Sequence, residues 1–501
     1  MSHPPSVRTN IIWGWADHAI GLFVGLFMMP FVLHTLGDES YGTWLFINSI
    51  AGYSGLLYLG FGQTICRFTS TYHTQQDWDR LNHVSSVVFG IYMVTGAIAL
   101  AISGLLSWLV PSLDCFSSMP AGEIRLVVLL TGLTVALSIV GSVFGGILMG
   151  TQRFDQYRGI SIASAIIRVA LVVLFLKHES GLVRLAVVFT IVTILENAAY
   201  ITLAYRGVPT LRIDLRSVFK EGVGEYFQFG MLSFLNTIAS QVLAVTDTVI
   251  IGIYFGPSHI VPFYIALRLS RFVGQPINQI AGVFMPRAGE LHTQNNTRQL
   301  RKLLALGVGV SFLMTAGVLI GAAWFGETVI KTSVGPSYEL SHNLLLILLF
   351  AQLVVIPTQV IRSVLYGVGN VRLPAMLYLT EAICNVVLTL LLIKPFGLIG
   401  VVTATVIPVF LIELFILAPY GLRTLGISGS EFVRECLGPQ ILPLLALSIY
   451  SAVLANTIAV PDTWPAVIAV TAGGGLTLVA VWSARHYGLK AWDTSHAVSS
   501  T

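Results

Sequence analysis

Charge is scarce in this chain. Of 501 residues only 10% are Asp, Glu, Lys or Arg, while 55% are hydrophobic and the mean hydropathy is +0.82. A soluble domain carries about 25% charged residues, so a soluble globular fold is excluded. Cysteine is nearly missing too. Cys66, Cys115, Cys384 and Cys436 stand far apart, and only Cys115 falls on the outer side in the orientation derived below, so no external disulfide within the chain is expected. No CxxC, HExxH, Walker A loop or serine-nucleophile elbow occurs. Metal, ATPase and hydrolase chemistry therefore have no foothold, and neither a cofactor nor a metal is expected. Long polar loops are also missing. The longest connections, around 67–82, 205–223 and 287–299, are too short for a soluble domain or for a loop-borne carboxylate cluster of an enzyme acting on lipid.

What the chain has is apolar length. Crossing ~30 Å of hydrocarbon takes about 20 apolar residues in a helix. Such windows recur near 10–35, 41–66, 83–109, 123–150, 158–177, 181–204, 224–254, 258–286, 300–326, 340–368, 372–393, 397–421, 435–457 and 463–485. The expected fold is an all-α integral membrane protein of about fourteen transmembrane helices. With the N-terminus in the cytoplasm, eighteen Lys and Arg residues fall inside and five outside, a positive-inside bias that sets both termini in the cytoplasm. The net charge of +4 is then a consequence of topology and implies no nucleic-acid partner. The first span is too long for a cleavable signal peptide and lacks a small-residue cleavage site.

The remaining four basic residues, Arg168, Arg268, Arg271 and Arg362, lie within spans. In span 8, Tyr264, Arg268, Arg271, Gln275 and Gln279 recur at steps of three or four, which places them on one helical face. A charge at mid-bilayer costs at least ~2.5 kcal/mol, so such residues face a protein interior or a watery cavity. Arginine is also the side chain best matched to phosphate. This face is expected to line a cavity for an anionic substrate. The alternative is an ion pair between these arginines and Asp247 in span 7. Arg168 and Arg362 are candidates for the same cavity, or for pairing with Glu196, Glu381 or Glu413. Arg362 also lies close enough to the inner end of span 10 to snorkel to the surface. Among the acids, Asp17 beside His18 is a candidate for coupling to a cation or proton, because an intramembrane carboxylate can change its charge. Its alternative is an ion pair or packing hydrogen bond. Asp247 and Glu381 are further coupling candidates, and Glu381 shares a face with Asn385. Pro276 and Pro357 are expected to kink their helices.

The chain repeats itself. Leu36-Gly37 at the end of span 1 matches Phe255-Gly256 at the end of span 7. Ile147-Leu148-Met149-Gly150 matches Val364-Leu365-Tyr366-Gly367, and Glu196 matches Glu413, all at offsets of 217 to 219. Six spans per repeat keep both halves in one orientation, with a site between them. The expected organisation is an N-terminal six-helix bundle (1–204), a cytoplasmic linker (205–223), a C-terminal six-helix bundle (224–421), and spans 13 and 14 with a short cytoplasmic tail (422–501).

Several motifs carry a resemblance. They are Leu36-Gly37-Asp38-Glu39-Ser40-Tyr41-Gly42-Thr43-Trp44, Leu59-Gly60-Phe61-Gly62, Gly150-Thr151-Gln152-Arg153 and Thr246-Asp247-Thr248-Val249-Ile250-Ile251-Gly252. Gly367-Val368-Gly369-Asn370, Glu381 with Asn385, and Phe396-Gly397-Leu398-Ile399-Gly400 complete the set. Over about residues 10–420 the chain resembles Wzx-type polysaccharide flippases of the multidrug/oligosaccharidyl-lipid/polysaccharide exporter superfamily. The resemblance implies a V-shaped pair of bundles with alternating access. The implied cargo is a polyprenyl-diphosphate-linked oligosaccharide, moved to the outer leaflet of the bacterial cytoplasmic membrane for O-antigen, capsule or exopolysaccharide synthesis. Uphill transport would draw on an H+ or Na+ gradient. Expected partners are this lipid-linked oligosaccharide, membrane lipids, and a polymerase and other proteins of the pathway. The alternatives are a lipid II-type peptidoglycan precursor flippase, a drug/cation antiporter with an acidic cavity, and a membrane polymerase or transferase. The last would want the large external loop that this chain lacks.

Overall fold

A computed structural model describes residues 7–113, 116, 119–176, 181–216, 223–457 and 461–499. Cys115 lies outside the described residues, and so does the side chain of Gln279. Hydrocarbon offers no hydrogen-bond partner to the backbone, so a chain this apolar must satisfy its peptide groups within helices. Among the described residues there are helices and no strand. Eleven helices among the described residues are long and apolar enough to cross a membrane. Two of them, Ile12–Tyr58 and Arg372–Thr424, are long enough for two crossings and are broken by Gly37 and Gly397, both at positive φ. Counting these halves separately, and adding the arginine-bearing helix Ile260–Thr293, gives the fourteen helices expected.

In chain order they are α1 (7–36), α2 (38–75), α3 (Trp78–Leu109), α4 (Ala121–Gly150), α5 (Phe154–Phe175), α6 (Gly181–Gly207) and α7 (Val223–Phe255). The second seven are α8 (Ile260–Thr293), α9 (Thr297–Val334), α10 (Glu339–Gly367), α11 (372–396), α12 (398–424), α13 (429–457) and α14 (Trp464–Ser499). Helix α2 is itself interrupted by a 3-10 turn, Tyr53–Tyr58, and by Leu59 and Gly60 at positive φ. Helix α10 continues through Pro357, and α12 is π-helical over Val409–Leu417.

The helices form two compact units, Met1–Val261 and Pro262–Thr501. The first has a core of Ile65, Leu81, Val84, Tyr92, Ile139 and Ile147, all almost fully buried. Helix α7 belongs to this unit: Gly52 and Gly55 sit against Val245 and Gln241, and the Tyr53 and Thr246 hydroxyls meet at 2.7 Å. In the second unit Leu344, Val360, Val364 and Val401 are fully buried.

The repeat is written in the backbone. Gly37 (φ 77°, ψ 169°) and Gly256 (φ 88°, ψ 171°) adopt the same conformation, in a region that only glycine takes readily. Thr151 (φ −86°, ψ 14°) and Val368 (φ −86°, ψ 8°) end α4 and α10 alike. In each case a left-handed residue follows, and the next N–H closes back on the helix at 2.9 Å, Arg153 to Leu148 and Asn370 to Leu365. A third corner escapes comparison of residue identities. Gln76 (φ 59°) and Asn295 (φ 53°) occupy matching turns, and the side chains of the following Asp77 and Asn296 each accept the N–H three residues on at 3.1 Å. These corners support a six-helix repeat.

Candidate functional site

In the second unit, helices α10, α11 and α12 bring together Arg362, Tyr378, Glu381 and Glu413. Arg362 donates to Glu413, and its guanidinium lies 4.7 Å from the centroid of the Tyr378 ring. Glu413 is 1% exposed and Glu381 5%, so both carboxyls are out of water. Glu413 lies in the π-helical stretch of α12, where the widened turn breaks the regular register. Glu381 and Glu413 are also close enough to interact, so two acids face one arginine here. The second oxygens of both glutamates and the Nε of Arg362 have no hydrogen-bond partner among the described residues. Asn385, one turn below Glu381, donates its amide to Thr405 at 3.1 Å, while its carbonyl oxygen is unpartnered among the described residues. Of the partners the sequence left open for Arg362, the structure selects Glu413, with Glu381 beside it.

Helix α8 presents the expected polar face. Tyr264, Arg268 and Gln275 are half-buried and Arg271 is exposed, whereas Phe263, Ile265, Ala266 and Ser270 on other sides are buried. Arg268 spreads over the Phe272 ring, 5.2 Å from its centroid, and has no ion-pair partner among the described residues. Arg271 is near enough to Tyr378 to act on it electrostatically, which ties the α8 face to the Arg362 cluster. At the end of α8 the charges are locally matched. Arg287 donates to Glu290 at 2.5 Å and holds that exposed carboxyl below its usual range.

In the first unit, Arg168 lies 3.7 Å from Glu196 and 4.8 Å from the centroid of Phe189, and the Tyr200 hydroxyl donates to Glu196 at 3.3 Å. Glu196 and Glu413, matched by the repeat, therefore both pair with an arginine. The two arginines come from non-equivalent helices, α5 and α10. Asp17 accepts from Arg158 at 2.5 Å and from Ser161 at 2.9 Å, both on α5. Sequence reasoning counted Arg158 as a loop charge and so missed this partner. Its spacing of three from Ser161 is the signal that the two share a face. Asp247 is buried in α7, next to Thr246.

A cavity of about 830 Å³ opens in the same unit. Tyr58, Tyr157, Tyr200, Glu196, Asn197 and Gln63 line it, and small residues of α4 form a wall. Tyr157 and Tyr200 are stacked, with centroids 5.3 Å apart and rings inclined by 19°. Gly145 lets Tyr157 approach: a Cβ there would stand 3.1 Å from that ring. None of these tyrosines was singled out from the sequence, because they come from α2, α5 and α6 at no shared spacing.

Helices of this number, in two units with charged groups buried in membrane-spanning segments, define a multi-pass membrane transporter fold. Solved structures agree. The lipid II flippase MurJ in an inward closed conformation matches with a TM-score of 0.72 and 13% identity, covering 95% of this chain and 98% of that one. An inward-facing multidrug transporter of the MATE family and the MOP superfamily matches with a TM-score of 0.68 and 15% identity, over 82% of this chain and 94% of that one. A model of the family described as "Polysaccharide biosynthesis protein" matches residues 55–342, and the chain belongs to that family. A Shigella flexneri protein named as an O-antigen transporter is 21% identical over 79% of this chain and 93% of its own length. A Haloferax volcanii protein named as a low-salt glycan biosynthesis flippase is 21% identical over 46% of this chain and 48% of its own.

Proposed function

We propose that the protein flips a polyprenyl-diphosphate-linked oligosaccharide across a bacterial cytoplasmic membrane for surface polysaccharide synthesis, with no covalent step of its own. The observation that carries this reading is Arg268. It is a half-buried cation in a transmembrane helix, with an aromatic ring and no carboxylate partner among the described residues, one turn from Arg271. Such a charge is costly unless something anionic answers it. A diphosphate does so, and the planar guanidinium can bond two of its oxygens at once. The basic groups replace the water that the diphosphate would otherwise lose in hydrocarbon, while the polyprenyl tail stays in lipid. The relatives named as an O-antigen transporter and a glycan flippase support the same cargo. A polymerase of the same pathway is the natural recipient.

Coupling to H+ or Na+ is assigned to Asp17, Asp247 and Glu381. The test is reconstitution in proteoliposomes with a polyprenyl diphosphate bearing a short oligosaccharide, read by access of an impermeant reagent to the sugar. The wild type should equilibrate the lipid, and an imposed proton or sodium gradient should drive it one way. Asp17→Asn should lose the gradient response while keeping gradient-free flipping, because the amide still bonds Ser161 but cannot exchange a cation. A full gradient response in that variant makes Asp17 a structural partner of Arg158. No flipping by the wild type removes the reading altogether.

Both termini and the loops at 67–82, 151–157, 205–223, 287–299 and 369–371 are assigned to the cytoplasm on the basic-residue asymmetry. Single cysteines placed in these loops of a cysteine-free variant should resist an impermeant thiol reagent in intact cells. Labelling in 205–223, the most basic loop, inverts the orientation.

A further inference from the structure

The geometry points to a second substrate contact, in the first unit: the cavity walled by Tyr58, Tyr157 and Tyr200 is a binding site for a pyranose ring of the glycan. This inference rests on the flippase reading above and adds where a sugar, as distinct from the diphosphate, is held.

Three features carry it. The cavity, about 830 Å³, has room for more than a water cluster. Its lining combines aromatic rings with groups that both donate and accept: Gln63, Ser138, Ser142, Thr193 and Asn197, besides the tyrosine hydroxyls. A pyranose has the complementary chemistry, with C–H groups on its two faces and hydroxyls around its rim. Rings bury the faces, and amides and hydroxyls meet the rim. A drug-like cation would find one carboxylate, Glu196, already engaged by Arg168 and by the Tyr200 hydroxyl.

The third feature is how firmly the rings are set. The Tyr200 hydroxyl is anchored on Glu196, and its ring is stacked on Tyr157. Gly145 and Gly146 on α4 leave the space that Tyr157 and Ile65 occupy. Tyr58 is wedged edge-on against Tyr92, 5.7 Å between centroids. Preset rings lose little freedom when a ligand stacks on them, which is where an aromatic contact gains its affinity. The pair Arg168–Glu196 is thereby given a role through Tyr200: it is a positioning pair for the sugar site.

The test compares two probes on the full protein in nanodiscs: polyprenyl diphosphate without sugar, and the same lipid bearing a trisaccharide. The wild type should bind the sugar-bearing lipid about tenfold more tightly, the size of one good stacking contact. Tyr157→Ala should erase that advantage and leave affinity for the sugar-free lipid unchanged. Tyr157→Phe keeps the ring and should keep most of the advantage, which separates stacking from misfolding. Arg271→Ala should weaken both lipids alike. Retention of the full sugar advantage in Tyr157→Ala overturns the proposal, as does an equal loss for both lipids. If the wild type binds neither lipid, the flippase reading fails first, and the sugar site falls with it.

Discussion

Arg271→Ala should abolish export of surface glycan while leaving the protein at its normal abundance in the membrane. Arg271 is exposed on the polar face of α8 and acts electrostatically on Tyr378, so its removal takes charge from an exposed face and opens no packed core. Losing charge-assisted hydrogen bonds to a diphosphate costs about 1.5–3 kcal/mol, enough for a loss of about ten- to a hundredfold even without a change in mechanism. Arg271→Lys should recover part of the activity, because lysine restores the charge but not the fork. Surface glycan and membrane abundance have to be measured together. A double variant, Arg268→Ala with Arg271→Ala, that exports normally would remove the physical argument for an anionic substrate. An unstable Arg271→Ala would make the residue structural.

The opposite pattern is expected at the buried pair of the second unit. Arg362→Ala should destabilise the protein by about 3–5 kcal/mol, because it leaves Glu413 and Glu381 without their arginine where water does not reach, and Glu413→Ala by less, because Glu381 still stands beside Arg362. Glu413 is 1% exposed, so it has no route to solvation short of unfolding. The double change to Leu at both positions should recover part of the Arg362→Ala loss, and adding Glu381→Gln should recover most of the rest, since no buried charge is then left without a partner. Thermal unfolding in detergent checks this. Single variants as stable as the wild type would show that the pair does not hold α10 to α12.

How much of this was legible in the sequence depends on how far apart the cooperating residues stand. The helices other than α8 follow from hydropathy because each is a local property, and Gly37 and Gly397 mark where two long apolar runs must turn. The face of α8 was legible for the same reason: a helix repeats locally, and Tyr264, Arg268, Arg271 and Gln275 come out less buried than Phe263, Ile265 and Ala266. Pairings between helices were legible only as alternatives. Arg362 had three acids within reach of argument, and only the placement of α12 against α10 selects Glu413. Arg158 was legible as a charge on the inner side but not as the partner of Asp17, because the two stand 141 residues apart. The tyrosine cavity left no trace at all, since Tyr58, Tyr157 and Tyr200 share no spacing. The α2–α3 and α8–α9 corners show a subtler loss. Their equivalence lies in a left-handed residue followed by a capping side chain, chemistry that Gln76-Asp77 and Asn295-Asn296 perform with different letters.

The buried pair of the second unit also dictates an order of assembly. Arg362 is made 51 residues before Glu413. At a synthesis rate of roughly 5–20 residues per second, α10 waits several seconds in or near the membrane before its acid partner emerges. The waiting residue of this pair is the arginine, whose long side chain can bend toward the headgroups and so lower a cost of about 2.5–3.5 kcal/mol at the bilayer centre. The glutamate enters last and finds its counter-charge in place. A chain with the two residues exchanged would hold the same bond once folded, but during synthesis it would leave the short carboxylate stranded, where only protonation could shelter it.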